Sequence, residues 1–192
     1  MYSAKQVAKF ILGVGNAQGV GISNLRLQYL LYIAQTGFLA EEERRLFEED
    51  IVAYSMGPRV DEVYFEYCAY GGMDINTSGF FPGQSDIAVN DQGAIYKYII
   101  PFLSMPMSKL CNAVRSQGGA WSAIFRQGTP GKVIPEYVLQ SVRHCPRCNS
   151  IEHLPKAKYC MQCGERLPEP EPKAHPFLDG YGECPDEADY LI

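Results

Sequence analysis

Two short runs, Cys145-Pro146-Arg147-Cys148 and Cys160-Met161-Gln162-Cys163-Gly164, carry the residues whose type and spacing imply chemistry. Eleven residues separate them. Each Cys-x-x-Cys can fold into a knuckle whose backbone N–H groups point at the sulfurs. Two knuckles offer Cys145, Cys148, Cys160 and Cys163 as four thiolates, a set that suits tetrahedral Zn²⁺. The spacing favours Zn²⁺ over iron, and over disulfide or redox chemistry. Gly164 fits the left-handed position that closes a knuckle, and Asn149, after the first pair, is the next most tolerant residue type. Four cysteines leave no ligand position for water, so the expected site is structural, with one ion per chain. A segment this short has almost no apolar core, so the metal must hold it together.

The remaining reactive residues suggest less. Of seven cysteines, Cys68 and Cys111 sit on helical apolar faces and are expected to be small core residues. His144 and His153 flank the knuckles, but four cysteines already suffice, so both are expected on the solvent side. His175 and Cys184 lack the spacing of a second site. No histidine precedes residue 144, so a Cys/His nucleophile has no base. Gly-x-Ser-x-Gly, His-Glu-x-x-His and Walker patterns do not occur. The glycines from Gly13 to Gly21 follow no strand and do not form a dinucleotide fingerprint. No catalytic or cofactor-binding residue, no enzyme activity and no small-molecule substrate is therefore expected. Trp121 and the thirteen tyrosines read as core and interface rather than a base-stacking platform.

The elements that must position the cysteines precede them. Ile22 to Gln35 forms the centre: Ser23 is a helix N-cap, and Leu27, Leu30, Leu31 and Ala34 recur along one helical face. Leu25, Tyr29, Tyr32 and Ile33 place apolar bulk on the other faces, which predicts a helix buried on most sides. It falls short of the roughly 20 apolar residues of a bilayer span. An amphipathic helix is expected over Ser3–Val14, with Lys5 and Lys9 outward. The run Glu41-Glu42-Glu43-Arg44-Arg45 reads as a solvated face. A strand over Ile51–Met56 should stop at Gly57-Pro58, because Pro58 lacks a donor. Val60, Val63, Tyr64 and Tyr67 return to helical spacing. Residues 73–89 are turn-rich and are expected to hold one or two short strands against the Ile51 strand. Further helices are predicted from Asp91, kinked or ended by Pro101, and over Ser108–Ser116, Ala120–Phe125 and Pro135–Val142.

Composition bounds the class. The chain has 192 residues, 46% hydrophobic and 20% charged, which excludes general disorder. Residues 168–192 hold seven acids and one base, so that stretch carries −6 of a net −5 and residues 1–167 carry +1. A neutral body gives no electrostatic footprint for nucleic acid. Leu167–Pro176 reads as an extended Pro-Glu-Pro-Glu-Pro linker. Beyond it, Phe177, Leu178, Tyr181 and Tyr190-Leu191-Ile192 interleave with acids, giving either a solubilising tail or a motif that folds onto a partner. The start, Met1-Tyr2-Ser3-Ala4-Lys5-Gln6, lacks the basic and apolar regions of a secretory signal. A bacterial-type cytoplasm is the expected compartment, with no membrane partner.

One ordered set of residues resembles a known family. A leucine-rich helix with Tyr29 and Tyr32 is followed by Phe47, by Ile51-Val52-Ala53-Tyr54, by Gly57-Pro58-Arg59-Val60, and by a short helix with Val63-Tyr64. This order is similar to the Panacea, or SocA-like, domain of bacterial and phage antitoxins. The resemblance spans roughly Tyr2 to Ile124 and continues in Ser108-Lys109-Leu110 and Trp121. The chain departs from the family pattern before Trp121: Ala113-Val114-Arg115 and Gly119-Ala120 stand where a Thr-His pair and a proline are common.

Together these readings imply a mainly α fold with a small antiparallel sheet (α+β). A SocA-like helical domain is expected over residues 1–142, a zinc ribbon over 143–167, and a proline-rich linker with a flexible acidic tail over 168–192. The resemblance implies an antitoxin that neutralises a cognate toxin by direct contact, or that delivers it to a protease. The alternative is a transcriptional regulator that uses the ribbon to bind operator DNA. The absence of a clear recognition helix rich in Arg, Asn and Gln weighs against that alternative.

Overall fold

The computed structural model describes residues 1–116, 119–125, 131–148, 150, 151, 153 and 157–168. The acidic tail and most of its linker lie outside these residues. The fold is α+β: the described residues form seven helices and a small antiparallel sheet.

Helix α2 (Asn24–Glu41) is the hub. Ser23 caps it, accepting from the Arg26 N–H. Every residue from Leu27 to Leu39 is buried, so the helix has no solvent face. Around it pack α1 (Ala4–Ala17), α3 (Asp61–Tyr67), α4 (Val89–Leu103), α5 (Met107–Val114) and α7 (Glu136–Leu139). A helix buried this way must also bury polar side chains, and each needs a partner. Asn24 Nδ2 donates to the Tyr64 carbonyl at 3.0 Å, and Gln28 Oε1 accepts from Val60 N at 2.9 Å. Gln35 Oε1 accepts from Leu46 N and Phe47 N at 3.0 and 3.2 Å. These amides satisfy backbone groups of the loop after α2 and at the two ends of α3, and so pin the chain after α2 back onto it.

Helix α1 carries a full capping box between Ser3 and Gln6. Helix α4 continues past Pro101 to Leu103, and α6 spans Ala120–Ile124. The carbonyls near the end of α4 are capped from a distance: Arg26 Nη1 donates to the carbonyls of Phe102, Leu103 and Met105 at 2.8–3.3 Å. A cation at a helix C-terminus also opposes the dipole.

Strands β1 (Val52–Tyr54) and β2 (Gly57–Arg59) form a hairpin, with Tyr54 opposite Gly57. The order β2-β1-β3 is completed by β3 (Lys132–Val133), whose Val133 faces Val52. This corrects the expected source of the third strand. Residues 73–88 contribute an isolated Ser23–Asp74 bridge and a 3-10 turn at Pro82–Gln84 instead. The last helix is also shorter than Pro135–Val142, because the chain leaves α7 after Leu139 to enter the first knuckle. Among the described residues no helix is long and apolar enough to cross a membrane.

Candidate metal centre

Residues 145–167 return the chain on itself through two knuckles. In the first, Cys145 N donates to the Ser150 carbonyl at 2.9 Å. In the second, Gly164 N donates to the Cys160 carbonyl at 3.0 Å and Cys160 N to the Glu165 carbonyl at 2.7 Å. Gly164 has φ 74°, the left-handed conformation that a β-carbon disfavours. A Tyr159–Arg166 bridge and a bond from Leu167 N to the Lys158 carbonyl close the second knuckle into a narrow hairpin. Arg143 Nη1 reaches across to the Ala157 carbonyl at 2.8 Å and ties the two knuckles together.

This folding brings together all four predicted ligands. The sulfurs of Cys145, Cys148, Cys160 and Cys163 lie within 4.8 Å of one another. Cys145 Sγ stands 3.5 Å from Cys163 Sγ, and Cys148 Sγ 3.6 Å from Cys160 Sγ. Four sulfurs placed ~2.3 Å from one ion in a tetrahedron are about 3.8 Å apart, so the cluster fits a metal of that radius. Gln162 N approaches Cys160 Sγ at 3.4 Å, the amide-to-sulfur contact of a knuckle. The set can hold a metal ion.

The electrostatics of the bare thiols favour a cation among them. Burial pushes the Cys145 thiol up, but the Cys148 and Arg147 backbone N–H groups and the Cys163 side chain outweigh it and hold it at about 7. Burial together with the neighbouring thiols pushes Cys148 up to about 12. Once one sulfur in so tight a group ionises, the next ionises only against its charge. A divalent cation removes that conflict and lets all four act as thiolates.

The flanking histidines are not where the sequence placed them. Both His144 and His153 are buried, 6% and 8% exposed, rather than solvent-facing. His144 Nε2 lies 3.1 Å from Thr36 Oγ1 on the central helix, and its ring meets Tyr98 edge-on at 5.8 Å. His153 Nε2 lies 2.8 Å from the Ser150 carbonyl, within the first knuckle's return. Neither joins the sulfur cluster. His144 is the functional residue that sequence reasoning missed: it fastens the metal site to the body. Ile151, 7% exposed, belongs to the main apolar core as well.

The other two described cysteines divide. Cys111 on α5 is half-buried near the Tyr29 hydroxyl, 3.6 Å away, in keeping with a packing role. Cys68 is exposed, contrary to the core position expected, because α3 ends at Tyr67 and the chain tightens into a 3-10 turn that rotates Cys68 outward. Glu41 to Arg44 are exposed, as a solvated face requires. Compared with family models, curated proteins and solved structures, the chain matches none.

Proposed function

We propose that this chain is an antitoxin-like binding protein whose helical body neutralises a cognate toxin by direct contact, and that its four-cysteine site holds one structural Zn²⁺. One observation carries the reading. The stretches similar to SocA-like domains are those that α2 holds through its own side chains. Asn24 bonds to Tyr64, Gln28 to Val60, the Tyr29 hydroxyl to the Met56 carbonyl, and Gln35 to Phe47. A set of residues scattered along 40 positions of sequence thus forms one cooperating unit, as a shared domain requires. Strand β2 of that unit carries Arg59, whose guanidinium carbon lies 5.5 Å from the ring centroid of Phe65, a large apolar side chain that is 62% exposed. An exposed aromatic side chain beside a partly exposed arginine matches the composition of binding hot spots. The role of delivering a bound toxin to a protease is compatible with the same contact.

Four thiolates and no other ligand favour Zn²⁺, which has no geometric preference of its own and takes the tetrahedron the knuckles offer. The DNA-binding reading has one observation in its favour: Arg147, Lys158, Tyr159 and Arg166 are exposed on the ribbon, a basic surface with an aromatic side chain. The body adds little to it, since residues 1–167 sum to +1.

Co-expression with the reading frame adjacent to this gene separates these readings. Growth rescue together with a stoichiometric complex at 0.5 M salt is the expected result. Failure of rescue, combined with salt-sensitive retention on operator DNA, would overturn the antitoxin reading in favour of the regulator. Elemental analysis of the purified chain should find about one zinc per chain.

A further inference from the structure

Arg59 is held more firmly than a surface arginine needs to be. Its Nε donates to Asp61 Oδ1 at 2.7 Å. Its guanidinium carbon lies 3.5 Å from the Tyr54 ring centroid, 4.4 Å from that of Tyr64 and 5.5 Å from that of Phe65. The platform under it is fixed in turn. Tyr54 is paired with Gly57 across the hairpin, its carbonyl accepts from Trp121 Nε1 at 2.8 Å, and Val60 N is bound by Gln28. Yet among the described residues the two terminal nitrogens of Arg59 have no hydrogen-bond partner, and the side chain keeps 19% of its exposure.

We propose that this fork is a receptor for a carboxylate presented by a protein partner, with Phe65 covering an apolar side chain next to that acid; the proposal rests on the binding-protein reading and names the chemistry of the partner. Three features favour this occupant. A planar guanidinium offers two parallel donors that match a carboxylate's two oxygens. The rings and Asp61 have already immobilised the side chain, so little rotamer entropy is lost on binding. The large exposed Phe65 ring beside it suits a peptide segment rather than a free ion. A nucleic-acid backbone suits the face poorly. Helix α3 also carries Asp61, Glu62 and Glu66, and a string of phosphates would run against them. Because Asp61 balances the cation, the site selects by fork geometry and apolar cover more than by net charge.

Side-chain NMR of the full-length chain tests this with small probes. Isovalerate supplies a carboxylate and an aliphatic group, isovaleramide the same shape without charge, and methyl phosphate a different anion. Isovalerate should shift the Arg59 Nε–Hε signal and the Phe65 ring signals together and saturably, with a Kd of about a few millimolar. Isovaleramide should not. Arg59→Lys keeps the charge but removes the fork, and should weaken binding about tenfold, the equivalent of one charged hydrogen bond. Phe65→Ser removes the apolar cover and should weaken isovalerate more than acetate. Equal response to acid and amide, unchanged affinity in Arg59→Lys, or tighter binding of methyl phosphate than of isovalerate would each overturn the proposal. No toxin enters this titration, so its failure leaves neutralisation to another face. Intact carboxylate binding with no growth rescue would remove the toxin reading alone.

Discussion

The helical body and the four-cysteine segment solve the same problem by opposite means. Around α2, burial is distributed: Leu27, Tyr29, Leu30, Leu31, Tyr32, Ile33 and Phe38 are essentially inaccessible and touch helices on every side. Among its described residues, the segment from 145 to 167 has its own buried cluster of only Cys145, Cys160 and Leu167, edged by Cys148, Ala157 and Cys163. Four of those six residues are cysteines. Apolar transfer at roughly 25 cal/mol per Å² cannot order a loop from so little area, whereas metal–thiolate bonds can. With an ion in the four-cysteine site, the body should therefore fail through its packing and the cysteine segment through loss of that ion. The comparison also shows where the two meet. The first knuckle leans on the body through His144 and Ile151, whereas the second is attached through the sulfurs and the Arg143–Ala157 bond.

The largest effect should come from charging the body's centre. Leu30 is fully buried on α2. Leu30→Asp puts an unpaired carboxylate there, at a cost of several kcal/mol, enough to unfold a marginally stable domain. Circular dichroism should show loss of most helical signal at 25 °C. A soluble variant with an unchanged melting temperature would place α2 at a surface and end the contrast drawn above.

Removing the ion should act next, and unevenly. A strong chelator, or Cys160→Ser, should release the metal and abolish hydrogen-exchange protection of residues 157–167 while most of the helical signal survives. If all helical signal were lost, the body would depend on the metal as strongly as the ribbon does.

A third change tests the tight seat of the hairpin. Gly57 has φ 131°, and a β-carbon there would lie 2.5 Å from Tyr29 Cε1. Gly57→Ala should cost about 2–4 kcal/mol, from backbone strain together with displacement of the Tyr29 ring, whose hydroxyl donates to the Met56 carbonyl. Thermal unfolding should report it as a shift of roughly 5–15 °C at this chain length. A shift under a degree would show that Tyr29 gives way freely, and that the hairpin is held by its edges rather than by α2.

What was legible in the sequence follows from where the determinants lie. Helix α2 and the sulfur cluster were legible because their signals are local: apolar residues on all faces within one helix, and a two-residue gap within each cysteine pair. Strand β3 was not. Lys132 and Val133 are both exposed and too few to show a period, and only pairing with β1 makes them a strand. Cys68 was misplaced because helical spacing was carried one residue past the end of α3. The Arg59 cluster needs rings from both the hairpin and α3, so its parts appeared in the sequence without their assembly. His144 is the clearest case. Its buried partner Thr36 is 108 positions away, and nothing near either residue signals the pairing.

That pairing gives the smallest and most discriminating test. Thr36 Oγ1 also lies 3.0 and 3.1 Å from the carbonyls of Tyr32 and Ile33, so it keeps a partner when His144 is removed. His144→Ala should therefore cost only about 1–2 kcal/mol, from one lost buried hydrogen bond and lost packing against Tyr98. The informative quantity is the change in metal linkage. An ion that orders Cys145 also holds the adjacent His144 against α2, so binding it stabilises the body as any ligand of the native state does. Chelation should lower the melting temperature of the wild-type body by a few degrees, roughly the effect of 1 kcal/mol at this size. In His144→Ala that chelator-induced shift should shrink by about half, because Ile151 still anchors the knuckle. An unchanged shift would mean that the metal reaches the body through Ile151 alone. No shift in either protein would make the two regions energetically independent despite their contact.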